Sequence, residues 1–440
     1  LRSPRGAWLW LVRKEWRELM TSRSWWIMLA LTGPLVGMSF ISAVATFAEV
    51  SSGAGSGCSA VCDPLTGIWA PTFSAYELVA VFLLPFVAIR LVSGDRQSGA
   101  LKLELQQPMP ALNRMAAKAV VLLGGWLLAS AAAVLAIGLW RSYGGAIHAP
   151  EIGIVAAGHV LNAGLTIALA VAAASIAEHP STAAILTLGF TVGTWIIDFV
   201  AAIHGGFWER VAAITPTAMV GVFQHGLVEA NVVIAALAVI AAGLGAGAVW
   251  LRLGVSVRRR AAESLAIAAA AAVIVFSATF IRASWDGSEG RVNSFSEPEQ
   301  EALERITGPL RIEVHLAPVD PRRTELDRAA LAKLFRVMKN VTVSYTARTS
   351  SGLYESADPG YGEIWYDLGG KREMSRMVTS EGVLETIFSL AGVSPNNEHE
   401  VEFAGHPLTA RATGAAVVFY GVWPGAVGLA GFLMLRGRTT

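Results

Sequence analysis

The sequence predicts an α-helical polytopic membrane protein that carries one small polar α/β domain. Of its 440 residues, 54% are hydrophobic and 15% charged, against roughly 45–50% and 25% in ordinary soluble domains. Apolar runs of about 20 residues, the length a helix needs to cross a ~30 Å hydrocarbon layer, recur at Trp25 to Phe47, Ser74 to Leu91, Ala116 to Trp140, Ile152 to Ile176, Ala183 to Ile203, Val232 to Leu251, Leu265 to Ile281 and Ala415 to Leu435. The net charge of +1 conceals a segregation: more than half of the acidic residues but well under half of the basic ones fall between Ser284 and Ala410. That stretch reads as the separate polar domain.

Lys and Arg set the expected orientation. They crowd before the first span (Arg13, Lys14, Arg17, Arg23), after the second (Arg90, Arg96, Lys102, Arg114, Lys118), after the sixth (Arg252, Arg258, Arg259, Arg260) and after the eighth (Arg436, Arg438). The intervening loops hold only Arg141 and Arg210. Both termini are therefore expected on the cytoplasmic side of the membrane, with residues 284–410 outside. A basic segment runs past Met20 before any long apolar run, so no signal peptide is expected.

Residues 1–24 read as a helix lying in the membrane interface. Trp8, Leu9, Val12, Trp16, Leu19 and Met20 share one helical face and Arg13, Lys14, Arg17 and Glu18 the other, an arrangement suited to the headgroup boundary. The loop after the first span is rich in Ser, Gly and Pro and carries Cys58 and Cys62. Three readings stand for this pair: a disulfide in an oxidising compartment, two free thiols, or half of a metal site that would need histidines from elsewhere. No metal site is assigned. Between spans five and six, residues 204–231 are apolar but broken by Gly205, Gly206, Pro216 and Gly226, which predicts short helices rather than a crossing. Ionisable residues within spans are costly and mark pathways or specific partners. Asp198, His159 and, near a span edge, Glu77 are the candidates: Asp198 for a pathway or gating role or a structural partner such as a facing Ser, Thr or backbone group, His159 for a hydrogen-bonded helix contact.

In the polar domain, Ser296 followed by Glu299 is a capping box that opens a helix. Ile312, Val314 and Leu316 alternate with polar residues as in a strand, as do Val341, Val343 and Tyr345, and GEIWYDLGG reads as a third. Leu326, Ala330, Leu334 and Val337 fall on one helical face, and EGVLETIFSLAG is a helix stopped by Gly392. Strands alternating with helices predict a small α/β layer. Its histidines have no Ser or Cys nucleophile in a recognisable turn, and no G-x-x-x-x-G-K-[ST] occurs anywhere, so the chain is not expected to be an enzyme or to hydrolyse ATP.

One charged segment, SGDRQSGALKLELQQPMPALNRMAAK at 93–118, interrupts the apolar sequence between spans two and three. Asp95, Arg96, Gly99, Leu101, Leu103, Leu105, Pro108 and Lys118 follow an order that resembles the permeases of type-2 ABC exporters, with Ala100 where that family has Thr. RKEWRELMTSRSWW resembles the family's elbow helix (Trp8, Trp16, Arg13 and Lys14 in this reading), ASIAEHPSTAAILTLG its junction between spans four and five, and ITPTAMVGVFQHGLVEANVV its hairpin before span six. The resemblance covers residues 7 to 252. It implies a six-span permease, residues 25–252, whose segment 93–114 is the coupling helix docking onto an ABC ATPase subunit, with Leu101, Leu103 and Leu105 as docking surface. LKLEL alternates with period two, yet a lone strand would leave both edges unpaired, so a helix is expected.

FSEPEQEALERITGPLRIEVHLAP, NVTVSYTA and VEFAGHP are similar to the auxiliary subunit of gliding-motility-type (Gld-type) ABC systems. Here that subunit's α/β domain, 284–410, stands truncated between a seventh span (261–283) and an eighth (411–440). The implied location is the inner membrane of a bacterium, and the implied function is an export permease that dimerises with a second permease copy and couples to separate ATPase subunits, which would carry ATP and Mg. The chain itself is expected to bind no cofactor. A periplasmic Gld-type subunit and the lipid bilayer are further expected partners, and nucleic acid is not. Two alternatives are a non-conducting anchor or scaffold for a motility or envelope machine, and a maturation permease for a periplasmic metalloenzyme.

Overall fold

The computed structural model describes residues 4–53, 62–106, 109–346, 360–395 and 405–436. Eight helical segments among them are long and apolar enough to cross a membrane, and each overlaps one of the eight predicted runs. An amphipathic helix, α1 (Pro4–Met20), precedes them. Span one is α2 (Arg23–Gly53). Span two joins a π-helical turn at Leu65–Trp69 to α3 (Ala70–Phe82) and α4 (Leu84–Gln97). The short α5 (Ala100–Leu105) follows, then α6 (Ala111–Ala129) and α7 (Ala131–Ser142) as span three, α8 (Ala149–Ile176) as span four and α9 (Pro180–His204) as span five. Two short helices, α10 (Phe207–Ala212) and α11 (Pro216–Gln224), and a strand, β1 (Leu227–Glu229), lead to α12 (Ala230–Trp250), span six, and α13 (Val257–Ala278), span seven. The strand β2 (Ser284–Asp286) pairs with β1, a contact that three-residue strands do not announce in sequence.

The chain divides into two compact units. The first comprises residues 1–194, 219–285 and 404–440. Its packing relies on small residues that let helix backbones approach. A Cβ added at Gly33 would lie 2.1 Å from Trp423 and one at Gly37 2.3 Å from Phe419, which is why span one accepts span eight, made of α18 (Ala415–Val417), a π-helical turn at Val418–Val422 and α19 (Trp423–Arg436). The Trp423 indole donates to the Leu29 carbonyl at 2.8 Å. Gly243 and Gly247 of α12 abut Ala168 and Ala172 of α8 in the same way. Where span three breaks at Ser130, the Tyr76 hydroxyl donates to the Ala129 carbonyl at 3.1 Å and accepts from the Ala133 amide at 3.0 Å, satisfying backbone groups the break would orphan. Cys62 is buried and disulfide-bonded. Cys58 lies outside the described residues.

The second unit comprises residues 195–218 and 286–403. It is a four-stranded sheet with helices on one face: α14 (Glu297–Glu304), β3 (Leu310–Val314), α15 (Pro321–Leu326), a π-helical turn at Asp327–Leu331, α16 (Ala332–Val337), β4 (Val341–Tyr345), β5 (Ile364–Leu368), β6 (Lys371–Ser375) and α17 (Ser380–Ala391). The order is β4-β3-β5-β6, with β3 parallel to β4, antiparallel to β5, and β5 antiparallel to β6. Leu310, Ile312 and Val314 alternate into a core shared with Ile364, Tyr366, Leu368, Leu326, Ala330, Leu334 and Ile387. The capping box forms as expected: the Ser296 amide donates to Glu299 Oε2 at 2.9 Å, and the Ser296 hydroxyl accepts from the Glu299 amide at 3.4 Å. Gly392, at φ 65°, ends α17. The single helix expected over Leu326 to Val337 differs in detail, because the π-helical turn at Asp327–Leu331 absorbs an extra residue. The strand β6 was not expected, since KREMS shows no apolar alternation. The Gly369–Gly370 turn, with both residues at positive φ, folds it back onto β5.

Candidate functional site

The charged segment between spans two and three is built on the end of α4. Gly99 takes φ 76°, a left-handed conformation that a side chain would strain, and this turn starts α5 in a new direction. LKLEL is helical. At 100° per residue, Leu101, Glu104 and Leu105 share a face and Leu103 opposes them. Accordingly Leu101 is buried, Glu104 is buried, Leu105 is half-buried, and Leu103 is 68% exposed. The expectation that all three leucines face a partner is corrected here: Leu101 and Leu105 pack into the core of the first unit, because a six-residue helix can be held only by burying one of its faces. Pro108 lies outside the described residues.

Beneath α5 sits a cluster of buried charges drawn from four helices. The Lys118 ammonium (α6) donates to both carboxylate oxygens of Glu15 (α1) at 2.8 Å and to Asp95 (α4). The Lys14 ammonium (α1) lies 3.0 Å from Asp95 Oδ1, 3.3 Å from Glu15, 3.2 Å from Glu18 and in direct contact with Glu104 (α5). Lys118, Glu15 and Asp95 are at most 3% exposed. Burial works against charge on Lys14, but Glu15, Glu104 and Asp95 outweigh it and raise its pKa. Burial raises the pKa of Glu15, aided by Asp95 and opposed by Lys118 and Lys14. Glu18 is raised likewise, by burial first and then by Asp95. The carboxylates of Glu15, Asp95 and Glu104 lie close enough to share a cation, and the two lysine ammoniums supply that charge.

Two arginines extend the cluster. Arg96 donates to the carbonyls of Ser175, at 2.9 Å, and Ala177. These belong to the C-terminal end of α8, where carbonyls lack intrahelical partners and the helix dipole favours a cation. Arg114 donates to the Glu104 carbonyl at 2.7 Å and so caps α5. Asp95, Arg96 and Gly99 are thus brought together with the elbow residue Lys14, while Trp8 and Trp16 stay half-buried and Arg13 exposed.

Glu15 and Glu104 were not singled out from sequence. The available signal was Glu15 at the i+4 position between Leu11 and Leu19, both buried, a carboxylate in the middle of an apolar stripe. Lys14 was placed on a solvated face, whereas it turns into the cluster.

The pathway candidates are scattered. Glu77 accepts from Gln224 Nε2 at 3.2 Å. Asp198 Oδ1 accepts from the Thr215 hydroxyl at 2.9 Å, a facing Thr of the kind that one of the two sequence readings named. His159, expected to be hydrogen-bonded, has no partner at either ring nitrogen among the described residues. Instead it stacks on Phe73 with ring centroids 5.6 Å apart and stands 6.3 Å from Tyr76.

The amphipathic helix α1, the capped helix α5 after span two and spans one to five all fall in the N-terminal half of the chain. Residues 9–216 match the model of the ABC-2 family transporter protein. This matched segment runs from α1 through α10, and it contains every residue of the buried charge cluster. Comparison with curated proteins and with solved structures finds no match. Among its described residues the chain carries eight helices long and apolar enough to cross a membrane, a segment at 9–216 that is similar to the ABC-2 family of transporter membrane proteins, and a small sheet domain in its C-terminal region.

Proposed function

We propose that this chain is the membrane subunit of an ATP-driven export system, working as a dimer of permease subunits with separate ABC ATPase subunits docked on α5. The observation that carries the reading is the asymmetry of that helix. One face is anchored through Glu104, Leu101 and the Lys14–Asp95–Lys118 cluster, and the opposite face offers Leu103 to a partner. A protruding apolar side chain on a rigid base suits a docking knob, because binding it need not order the base. In this reading ATP-driven closure of the motor pushes α5, and the push passes directly into spans two and three. The ABC-2 family match over residues 9–216 supports the class of transporter. The side of the membrane on which the α/β domain lies is assigned, from the Lys and Arg distribution, to the outside, and a second Gld-type subunit is the partner proposed for it.

The test is reconstitution of the chain in proteoliposomes with an ABC ATPase subunit that co-purifies with it. Leu103→Asp is expected to lower the permease-stimulated ATPase rate at least tenfold while the protein inserts and melts as the parent does. Undiminished stimulation would remove α5 as the docking site. ATP-dependent movement of substrate separates a transporter from a non-conducting scaffold, which would dock the same motor and move nothing.

A further inference from the structure

The second unit contains a contact that neither the permease reading nor the α/β domain alone accounts for. The loop after span five, Gly205 to Ala213, belongs to the same compact unit as the sheet domain. Arg323 of α15 is 3% exposed, a position where an unpaired guanidinium would be strongly destabilising. It lies with its guanidinium carbon 3.8 Å from the centroid of the Tyr345 ring. Its Nε is 3.6 Å from Asp327 Oδ2, and Tyr345 in turn donates its hydroxyl to Asp327 Oδ1 at 2.6 Å. Its Nη2 donates to Glu209 Oε1 of α10, outside the α/β sequence altogether. Glu209 uses its other oxygen to accept from the Gly206 amide at 3.1 Å, closing the first turn of α10. Beside it, Gly205 at φ 64° lies so close to Pro318 that a Cβ would come within 2.7 Å of the ring. At the far side of the loop, Thr215 ties back to Asp198.

We propose that Arg323 and Glu209 form a clasp by which the α/β domain holds the loop following span five, fixing the position of that loop and of the end of the span. The geometry is built for it. Arg323 is pre-oriented by Tyr345 and Asp327, so little side-chain freedom is lost when Glu209 engages. The Gly205–Gly206 turn, both residues at positive φ, lets the backbone approach Pro318 without a side chain in the way. Glu209 carries both jobs at once, capping its own helix and gripping the domain. Resting on the proposed function, the consequence is that cargo or a partner bound to the α/β domain acts on span five directly.

Hydrogen exchange of the full-length protein in detergent micelles tests the clasp. Arg323→Gln, which leaves the cap of Glu209 on the Gly206 amide in place, is expected to speed exchange of the 207–213 amides on the order of tenfold, as local opening of a short helix released from its anchor should, while the β5 amides at 364–368 keep their protection. Glu209→Lys, which removes the cap as well as the clasp, should speed it further. Arg210→Gln, a neighbouring charge outside the clasp, should leave exchange as in the parent. Parental exchange at 207–213 in Arg323→Gln, or acceleration that Arg210→Gln reproduces, would overturn the proposal. The readout needs no transport, so it stands or falls apart from the permease reading.

Discussion

Replacing Lys118 by Met keeps the length of the side chain and removes the one cation that both Glu15 oxygens and Asp95 share. Lys14 remains, already divided among Asp95, Glu15, Glu18 and Glu104, so two buried carboxylates lose most of their compensation. Breaking a buried ion pair from one side costs about 3–5 kcal/mol, equivalent to roughly two to three and a half orders of magnitude in the folding equilibrium. The loss has a pH signature. Burial already holds the pKa of Glu15 above its usual 4.5, so the folded form binds more protons than the unfolded one, and stability falls as pH rises from 4.5 through the folded pKa, then levels off. Without Lys118 that folded pKa moves higher, so the decline should continue toward neutral pH in Lys118→Met after it has ended in the parent. Unfolding in mixed micelles titrated with dodecyl sulfate, followed by the fluorescence of the 14 tryptophans, measures both effects. The triple variant Glu15→Gln, Asp95→Asn, Lys118→Met should regain most of the loss, because neutral groups of similar volume need no compensation. A single-variant cost below about 1 kcal/mol, or a triple variant no better than the single, would refute the view that these charges hold one another.

Further outcomes follow from the same structure. Leu101→Asp should prevent stable expression of the permease by burying an unpaired carboxylate, whereas Leu103→Asp, two residues on, should express and melt normally; blots and thermal melts distinguish them. Gly37→Val places atoms where Phe419 stands, 2.3 Å from the added Cβ, and should destabilise by about 1–3 kcal/mol, with cysteine cross-linking between α2 and α19 reduced in proportion. In the α/β domain, Arg322, through its side chain, together with the Tyr361 hydroxyl pulls Asp320 from 3.8 down to about 2. Its contribution is therefore complete above about 3.8 and is lost as pH falls toward 2, so Asp320→Asn should abolish that acid-dependent step in a pH titration of near-ultraviolet circular dichroism.

The eight spans were legible because crossing hydrocarbon imposes a length and a composition that little else in a protein imposes. Ser296 with Glu299 and Gly392 were legible for a similar reason, since a helix end must satisfy its own backbone within a few residues. The charge cluster was only half visible. Asp95 and Lys118 stood out through the order of residues in the segment and Lys14 through the resemblance of the elbow helix, but Glu15 and Glu104 looked like ordinary polar residues of short amphipathic helices. What makes them special is three-dimensional: α1, α4, α5 and α6 converge, and only that convergence turns solvated charges into buried ones. The strand β6 was hidden for the opposite reason. It is an edge strand with one partner, and its Lys371, Arg372 and Glu373 keep it from pairing further, so no apolar pattern was available to read.

An apolar base under α5 would have been simpler to build, and the ionic one needs a reason. Apolar packing is tolerant of sliding, since a leucine finds nearly equivalent contacts after a small shift. An ammonium shared among carboxylates of three helices is not: moving any one of them strands a buried charge. Lys14 ties α5 to the elbow, Asp95 and Lys118 tie the elbow to spans two and three, and Arg96 ties the end of span two to span four. A displacement applied at Leu103 therefore cannot be absorbed within the loop, because each route for relaxing it costs several kcal/mol of uncompensated charge. It must be passed on to four helices together. If that is so, substitutions of Lys14, Asp95 and Lys118 should be strongly non-additive in their effect on motor coupling, each single change approaching the loss produced by all three.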